Sequence, residues 1–130
     1  MGVARDANLE AIIASIPSSP EEGLLMLPSV EFDARAREIG GMIAKHRVIA
    51  MLPWKEYVEA GGLISYSPDI VAIWREASTY VDRILRGAKP SELPVTRPTS
   101  FELVVNLRSA RALGLTVPTS ILVSADRLIE

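Results

Sequence analysis

The sequence has 130 residues, of which 48% are hydrophobic and 23% charged, and its formal net charge is -2. A chain of this length can form one domain with a real hydrophobic core. Charges of both signs are interspersed and only 5% of the residues are aromatic, which argues against nucleic-acid binding. No apolar run approaches the roughly 20 residues that cross a bilayer, so no membrane insertion is expected. Without cysteine, disulfides, thiolate metal sites and cysteine nucleophiles are excluded.

A helix and a strand are predicted at the start of the chain. Apolar residues recur at the helical i, i+3, i+4, i+7 spacing from Leu9 to Ile16, so a helix is expected over 6–16. Pro17 ends it. The continuous apolar run at 24–27 then predicts a strand that other elements cover on both faces.

A second helix is predicted over 33–46, where apolar residues again recur at helical spacing. Gly40 and Gly41 lie inside it, and each would cost about 1 kcal/mol relative to alanine. Such a pair is tolerable where another element packs closely against the helix. Lys45 and His46 lie in or just after the last turn, where positive charge suits the negative end of the helix dipole.

Two further strands follow this helix. The apolar run at 48–52 predicts a buried strand that ends at Pro53-Trp54. A short helical turn over 55–60 and the pair Gly61-Gly62 lead to a third strand at 63–66.

The strongest helix signal in the chain begins at Ser67-Pro68-Asp69. This run offers a capping hydroxyl, a proline suited to the first helical position and an acid for the first turn. A helix is therefore expected over 68–86, ended by Gly87. Its apolar stripe comprises Ile70, Trp74, Ala77, Val81, Ile84 and Leu85.

The last part of the chain completes an alternation of strands and helices. A proline-punctuated stretch at 90–98 is too polar for a core, and a strand is predicted at 101–105. Asn106 can cap a short helix, and either Thr119 or Ser120 could cap a final helix that runs through Leu128. The alternation predicts an α/β fold with three layers: a mostly parallel sheet and helices on its faces.

Catalytic chemistry finds little support in the sequence. His46 is the only histidine, and its place at a helix end favours a structural role over catalysis or metal binding. Ser65 and Ser67 lack the G-x-S-x-G context of a nucleophile, and no phosphate-binding glycine loop occurs. Four acids on helix surfaces form no recognisable catalytic pair: Asp33, Glu38, Glu56 and Glu59. We therefore predict no enzyme, no catalytic residue, no cofactor and no metal site.

A small-molecule site is predicted at the ends of the strands. Open parallel sheets bind ligands beyond the carboxyl ends of their strands. The residues there offer hydroxyl groups, an aromatic wall and a helix N-terminus that suits a carboxylate. The candidate ligand-binding residues are Ser29, Trp54, Ser65, Tyr66 and Ser67. The structural alternative is that the two aromatic rings close the edge of the core and the serines only cap helices.

Three blocks of sequence resemble the ABC-transporter substrate-binding proteins of the tryptophan and tyrosine type. They occur in the same order in that family, and the resemblance is strong from about residue 32 onward. The blocks are Tyr57 to Asp69, Tyr80 to Pro90 with Leu93-Pro94-Val95, and Pro98 to Leu107 continuing through Ala112 to Leu115 and Ala125-Asp126. The resemblance implies the carboxy-terminal portion of a type 1 periplasmic binding protein, whose two Rossmann-like α/β lobes close on a ligand.

The resemblance also implies an organisation and a function. A single α/β domain would combine second-lobe segments at 1–66 and 99–130 with a hinge-crossing helix segment at 67–98. The chain would bind a small solute, such as an amino acid, for an ABC importer and would dock on an ABC permease. The family implies a periplasmic location, whereas the sequence as written shows no signal-peptide pattern and so predicts a cytoplasmic one.

The helix at 68–86 carries a second implication. In the family architecture it would pack on the first lobe, most of which has no counterpart in this sequence. Its apolar stripe would then be exposed unless the helix folds back on its own sheet or pairs in a homodimer. The alternative function is therefore a stand-alone oligomerisation or interaction domain that keeps the fold without binding a ligand.

Overall fold

A computed structural model describes residues 9–19 and 21–130 of the chain. Strands and helices alternate along it. The strands are β1 (Leu24–Leu25), β2 (Ala50–Leu52), β3 (Ile64–Pro68), β4 (Phe101–Asn106) and β5 (Arg127–Ile129). The helices are α1 (Leu9–Ala14), α2 (Val30–Asp33), α3 (Ala36–Lys45), α4 (Lys55–Glu59), α5 (Ile70–Leu85), α6 (Leu107–Ala112) and α7 (Thr119–Ser124), with a 3-10 turn at Pro90–Glu92. None of the helices in the described ranges is long and apolar enough to cross a membrane.

The five strands form one mixed sheet in the order β1-β2-β3-β4-β5. β1, β2 and β3 run parallel, with Leu25 opposite Met51 and Met51 opposite Ile64. β4 and β5 also pair in parallel. The predicted α/β fold, a mostly parallel sheet with flanking helices, is confirmed.

The four predicted strands are all present, each with at least one shifted end. The helix expected over 33–46 is present as α3 but begins only at Ala36, because the backbone at Arg35 leaves the helical region (φ -112°, ψ 19°). Asp33, its first predicted residue, is instead the last residue of the separate helix α2. α1 confirms part of the helix expected over 6–16, and residues 6–8 of that helix lie outside the described ranges.

Two predicted helix ends are wrong. The final helix stops at Ser124 and not at Leu128, which belongs to β5, and its N-cap is Pro118 and neither Thr119 nor Ser120. The Asp126 N–H donates to the Leu103 carbonyl at 3.0 Å, and the Leu103 N–H donates to the Asp126 carboxylate at 2.8 Å. These two bonds hold the chain in an extended conformation beside β4, so tertiary pairing overrides the local helical preference.

The second wrong end is the start of the helix expected at 68. Ser67 and Pro68 belong to β3, and Asp69 is the N-cap of α5. The Asp69 carboxylate accepts from the Val71 and Ala72 N–H groups at 2.9 and 3.1 Å. This carboxylate already accepts from two of the first helix N–H groups. The sequence predicted that the helix N-terminus is open to a ligand carboxylate, and in the structure it is occupied by Asp69.

The chain divides into two compact units. One contains the described residues up to Tyr66 together with Leu103–Glu130, and the other is Ser67–Glu102. The assignment of these segments to the lobe and the hinge of a receptor stays a prediction.

Close helix packing organises the core of the first unit. A methyl group at Gly40 of α3 would lie 2.7 Å from the Ala60 Cβ and closer still to the Tyr57 carbonyl oxygen, whereas one at Gly41 would meet nothing within 4 Å. The expectation that another element packs against this glycine pair is therefore correct for Gly40. Around this contact the buried apolar side chains are Leu9, Ile13, Ala36, Ile39, Ile43, Val48, Ala50, Leu52, Tyr57, Val58 and Val104.

Buried polar groups connect β4 and α6 to this core. Asn106 is the N-cap of α6, as predicted, and its side-chain oxygen accepts from the Ser109 N–H at 3.0 Å. Its amide nitrogen donates to the Val58 carbonyl at 3.0 Å. The Ser109 hydroxyl donates to the Gly61 carbonyl at 2.8 Å. These bonds fix the end of α4 against the start of α6.

The second unit consists of α5 and the extended segment that follows it. The Tyr80 hydroxyl donates to the Pro94 carbonyl at 2.6 Å and joins the two. In α5, which is described throughout, no side chain is buried. Six of its large apolar residues are exposed: Ile70 41%, Val71 63%, Trp74 71%, Val81 56%, Ile84 42% and Leu85 81%.

Candidate functional site

Two predicted ligand-binding residues lie at the carboxyl ends of neighbouring parallel strands. Ser29 follows β1 and is the N-cap of α2, and Trp54 follows β2 and is the N-cap of α4. Neither side chain makes a capping hydrogen bond. The Ser29 hydroxyl is therefore not used by its helix, contrary to the structural alternative. Trp54 is half-buried and packs against the core, so its ring does close the core edge as that alternative expected.

The other three predicted residues belong to β3, where side chains alternate between the two faces of the sheet. Ser65 and Ser67 are buried, at 0% and 8% exposure, whereas Tyr66 between them is 52% exposed. Tyr66 thus points to the opposite face from both serines. Ser67 belongs to the second unit, and the other four predicted residues belong to the first.

The Ser65 hydroxyl is an isolated polar group in the core. It is fully buried and has no hydrogen-bond partner among the described residues. On the neighbouring strand it lies opposite Leu52, which is also buried. Because a buried polar atom without a partner costs free energy, such an atom calls for a specific explanation.

A cavity of about 400 Å³ opens where α2, α3 and α4 begin or end. Its walls carry charges of both signs. The lining residues are Asp33, Ala34, Arg35, Ala36, Arg37, Glu38 and Glu56. Three of the acids that the sequence shows as unrelated therefore line one cavity. Asp33 comes four residues after Ser29 and Glu56 two residues after Trp54, a shared position beyond the strand ends that could have revealed this cluster.

Hydrogen bonds order part of the cavity wall. The Arg35 guanidinium donates to both Glu38 carboxylate oxygens at 2.7 Å and lowers the pKa of Glu38. The Tyr57 hydroxyl donates to the Asp33 carboxylate at 2.9 Å. Burial and this bond raise the pKa of Tyr57, so Tyr57 remains a neutral donor that holds Asp33 in place.

His46 lies away from this cavity in a structural setting. It is the C-cap of α3, and its Nε2 lies 3.2 Å from the Glu10 carboxylate, which Lys45 also contacts at 2.6 Å. Across residues 9–19 and 21–130, no three histidine, aspartate or glutamate side chains are grouped as a metal ion would need. His46 therefore lies in a polar cluster with Glu10 and Lys45 that joins α1 to α3.

Residues 40–129 match the family of ABC transporter substrate binding proteins. The chain belongs to this family. The matched range runs from α3 through β5 and includes β3, α5 and β4, which carry the three blocks of resemblance. Members of this family are in general non-enzymatic binding proteins. No curated protein is significantly similar to the chain.

Three solved structures share the fold of this chain. An ABC domain from Streptococcus pneumoniae in complex with L-Trp superposes with a TM-score of 0.76 at 21% identity, over 93% of this chain and 40% of that one. A conserved domain protein from Vibrio cholerae gives 0.77 at 24% identity, over 92% and 38%. The ligand-free, open form of a substrate binding protein with adhesive properties from Clostridium difficile gives 0.63 at 15% identity, over 100% and 43%. The chain spans about two-fifths of the length of these structures.

Proposed function

We propose that this chain supplies a solute-binding part of an ABC-type import receptor. The observation that carries the proposal is that Ser29 and Trp54 follow the carboxyl ends of β1 and β2, and that Asp33 and Glu56, a few residues further along the same two connections, line one charged cavity. In sheets of this type, ligands bind at that edge. Family membership supports the same role. Docking on an ABC permease and a periplasmic location belong to the proposal, since the family is typically periplasmic.

An amino acid is the class of solute that the cavity suits. Asp33 and Glu56 offer carboxylates to an ammonium group, and Arg37 offers a guanidinium to a carboxylate. Trp54 supplies an aromatic surface beside the start of α4. The Streptococcus pneumoniae structure holds L-Trp, which supports an aromatic amino acid as the first ligand to test. Ser65, Tyr66 and Ser67 remain proposed contacts, with Tyr66 on the far side of its strand.

Ligand-dependent melting tests this proposal. A bound solute raises the melting temperature by mass action, so millimolar L-tryptophan, L-tyrosine or a branched-chain amino acid should raise it, and a tighter ligand should raise it more. Glu56→Gln and Trp54→Ala should reduce the rise, while Glu22→Gln, an exposed acid outside the cavity, should leave it unchanged. The corresponding amines, which lack the carboxylate, test whether the ammonium group alone is bound. If neither the amino acids nor these amines change the melting temperature, this chain does not bind such a solute.

Self-association is a second candidate function, and the exposed stripe of α5 favours it. Ile70, Trp74, Val81, Ile84 and Leu85 keep between 41% and 81% of their surface exposed. Apolar patches of this kind mark interaction surfaces. We propose that α5 pairs in a homodimer, with retention of the fold whether or not a solute binds. Light scattering at micromolar concentration should give the mass of a dimer, and the melting temperature should rise with protein concentration.

A further inference from the structure

The acids that line the charged cavity are held in different ways. Both carboxylate oxygens of Glu38 accept from the Arg35 guanidinium at 2.7 Å. One carboxylate oxygen of Asp33 accepts from the Tyr57 hydroxyl at 2.9 Å, and Glu56 is exposed in the first turn of α4. Glu38 is therefore paired with a cation of the protein itself, whereas Asp33 is fixed by a group that carries no charge.

A neutral donor orients a carboxylate without offsetting its negative charge. The Tyr57 hydroxyl stays protonated, because burial and then the bond to Asp33 raise its pKa. A lysine or arginine in its place would also orient Asp33, but its positive charge would weaken the attraction between this carboxylate and a cationic group of a ligand. The bond from Tyr57 is thus suited to a carboxylate that binds a cation.

The core fixes Tyr57 in turn. Its side chain is fully buried, at 0% exposure, and α4 packs against α3 at Gly40, where an added methyl group would meet the Tyr57 carbonyl oxygen. The conformational entropy of this side chain is therefore lost when the protein folds and not when a ligand binds. Asp33 is held in one orientation before a ligand arrives, which lowers the cost of binding.

Asp33 and Tyr57 belong to separate connections beyond the strand ends. Asp33 ends α2, which follows β1, and Tyr57 lies in α4, which follows β2. We propose that Tyr57 is a positioning residue of the solute site: it holds the Asp33 carboxylate where an ammonium group binds, and the site thereby selects solutes that carry this group. The inference rests on the solute-binding role proposed above and names the chemical group that the site recognises.

Three related probes separate recognition of the ammonium group from recognition of the rest of the solute. L-Tryptophan carries an ammonium group and a carboxylate, tryptamine carries only the ammonium group, and indole-3-propionate carries only the carboxylate. Isothermal titration calorimetry of the full chain measures the dissociation constant of each. Tyr57→Phe keeps the ring in the core and removes the hydroxyl. We expect it to bind L-tryptophan and tryptamine about 3- to 10-fold more weakly and indole-3-propionate unchanged.

Two further variants distinguish positioning from a loss of structure. Tyr80→Phe also removes a bonded tyrosine hydroxyl, which donates to the Pro94 carbonyl outside the cavity, and should leave all three dissociation constants unchanged. Asp33→Asn tests the same selectivity without altering the core. If Tyr57 acts through Asp33, Tyr57→Phe combined with Asp33→Asn should bind L-tryptophan as weakly as Asp33→Asn alone. Circular dichroism melting checks that each variant is folded at the temperature of the titration.

The outcomes distinguish this inference from the function on which it rests. Weaker binding of the two ammonium-bearing probes alone, with no additional loss in the double variant, supports the positioning role. An unchanged Tyr57→Phe, equal weakening of all three probes or additive losses in the double variant would overturn the inference and leave solute binding standing. A parent protein that binds only indole-3-propionate would do the same. Binding of none of the three probes by the parent would overturn the inference and the proposed aromatic solute together.

Discussion

The α-carbon of Gly40 faces the carbonyl oxygen of Tyr57, where α3 crosses the end of α4. A methyl group placed at Gly40 would collide with this oxygen and would lie 2.7 Å from the Ala60 Cβ. The contact brings α4, and with it Trp54 and Glu56, to a fixed position beside α3. The same helix crossing therefore serves the core and positions one wall of the candidate cavity.

Replacing Gly40 should separate the two helices. We expect Gly40→Ala to lower the free energy of unfolding by about 1–3 kcal/mol, because the obstacle is backbone that can move only with α4. Gly41→Ala is the matched control. It has open space and should raise the stability by up to about 1 kcal/mol through helix propensity. Urea denaturation of the three proteins measures both effects, and equal stabilities of the two variants would contradict this packing.

Asn106 should be sensitive to the loss of either half of its amide. Its nitrogen donates to Val58 and its oxygen caps α6 through Ser109. Asn106→Ala leaves a buried carbonyl and a helix amide unpaired, so a loss of about 1–3 kcal/mol in unfolding free energy is expected. Asn106→Asp keeps the capping oxygen but loses the donor to the Val58 carbonyl, so it too should lower the unfolding free energy. Ser109→Ala, which removes one bond to Gly61, should cost less, about 0.5–1.5 kcal/mol.

Much of the fold could be predicted from the sequence because short apolar runs and helix caps are local signals. The strands at β1 to β4 each follow from such a run, and Asn106 is visible as a cap. β5 could not be predicted in this way. Its three residues extend because they pair with β4 and because the preceding Asp126 bonds to Leu103, both partners distant in sequence.

The candidate site was predictable in part for the same reason. Parallel strands end at one edge, so the positions of Ser29 and Trp54 follow from the strand ends. The opposite directions of Ser65 and Tyr66 follow from the two-residue period of a strand and could have been recognised. The positions of Asp33 and Glu56 also follow from the strand ends. The rest of the charged cavity could not be recognised, because it depends on the break between α2 and α3 at Ala34 and Arg35, which neither glycine nor proline marks.

The ion pairs of Glu10 predict a pH dependence of stability. Hydrogen bonds from Lys45 and then from His46 lower the pKa of the Glu10 carboxylate in the folded protein. A lowered folded pKa means that the stabilisation is present above the unfolded pKa, about 4.5, and is lost as the pH falls through the folded value. Glu10→Gln should therefore melt below the parent at neutral pH, and the difference should shrink at about pH 3. A difference that is constant across this range would contradict the ion-pair assignment.

The buried hydroxyl of Ser65 is either a packing defect or a ligand contact, and the variant Ser65→Ala distinguishes the two. If the hydroxyl has no partner in the folded protein, Ser65→Ala removes a buried, unsatisfied atom and should leave the unfolding free energy unchanged or raise it by about 1 kcal/mol. The reference is Ser109→Ala, because the Ser109 hydroxyl donates to the Gly61 carbonyl and its loss should lower stability.

A solute contact at Ser65 would have a different effect. Ser65→Ala would then show a smaller ligand-induced rise in melting temperature, while its stability without ligand equals or exceeds that of the parent. Melting curves of both variants with and without L-tryptophan measure the two effects side by side. If Ser65→Ala is less stable than the parent but shows the same ligand-induced rise in melting temperature, the hydroxyl has a structural partner and no role in ligand binding.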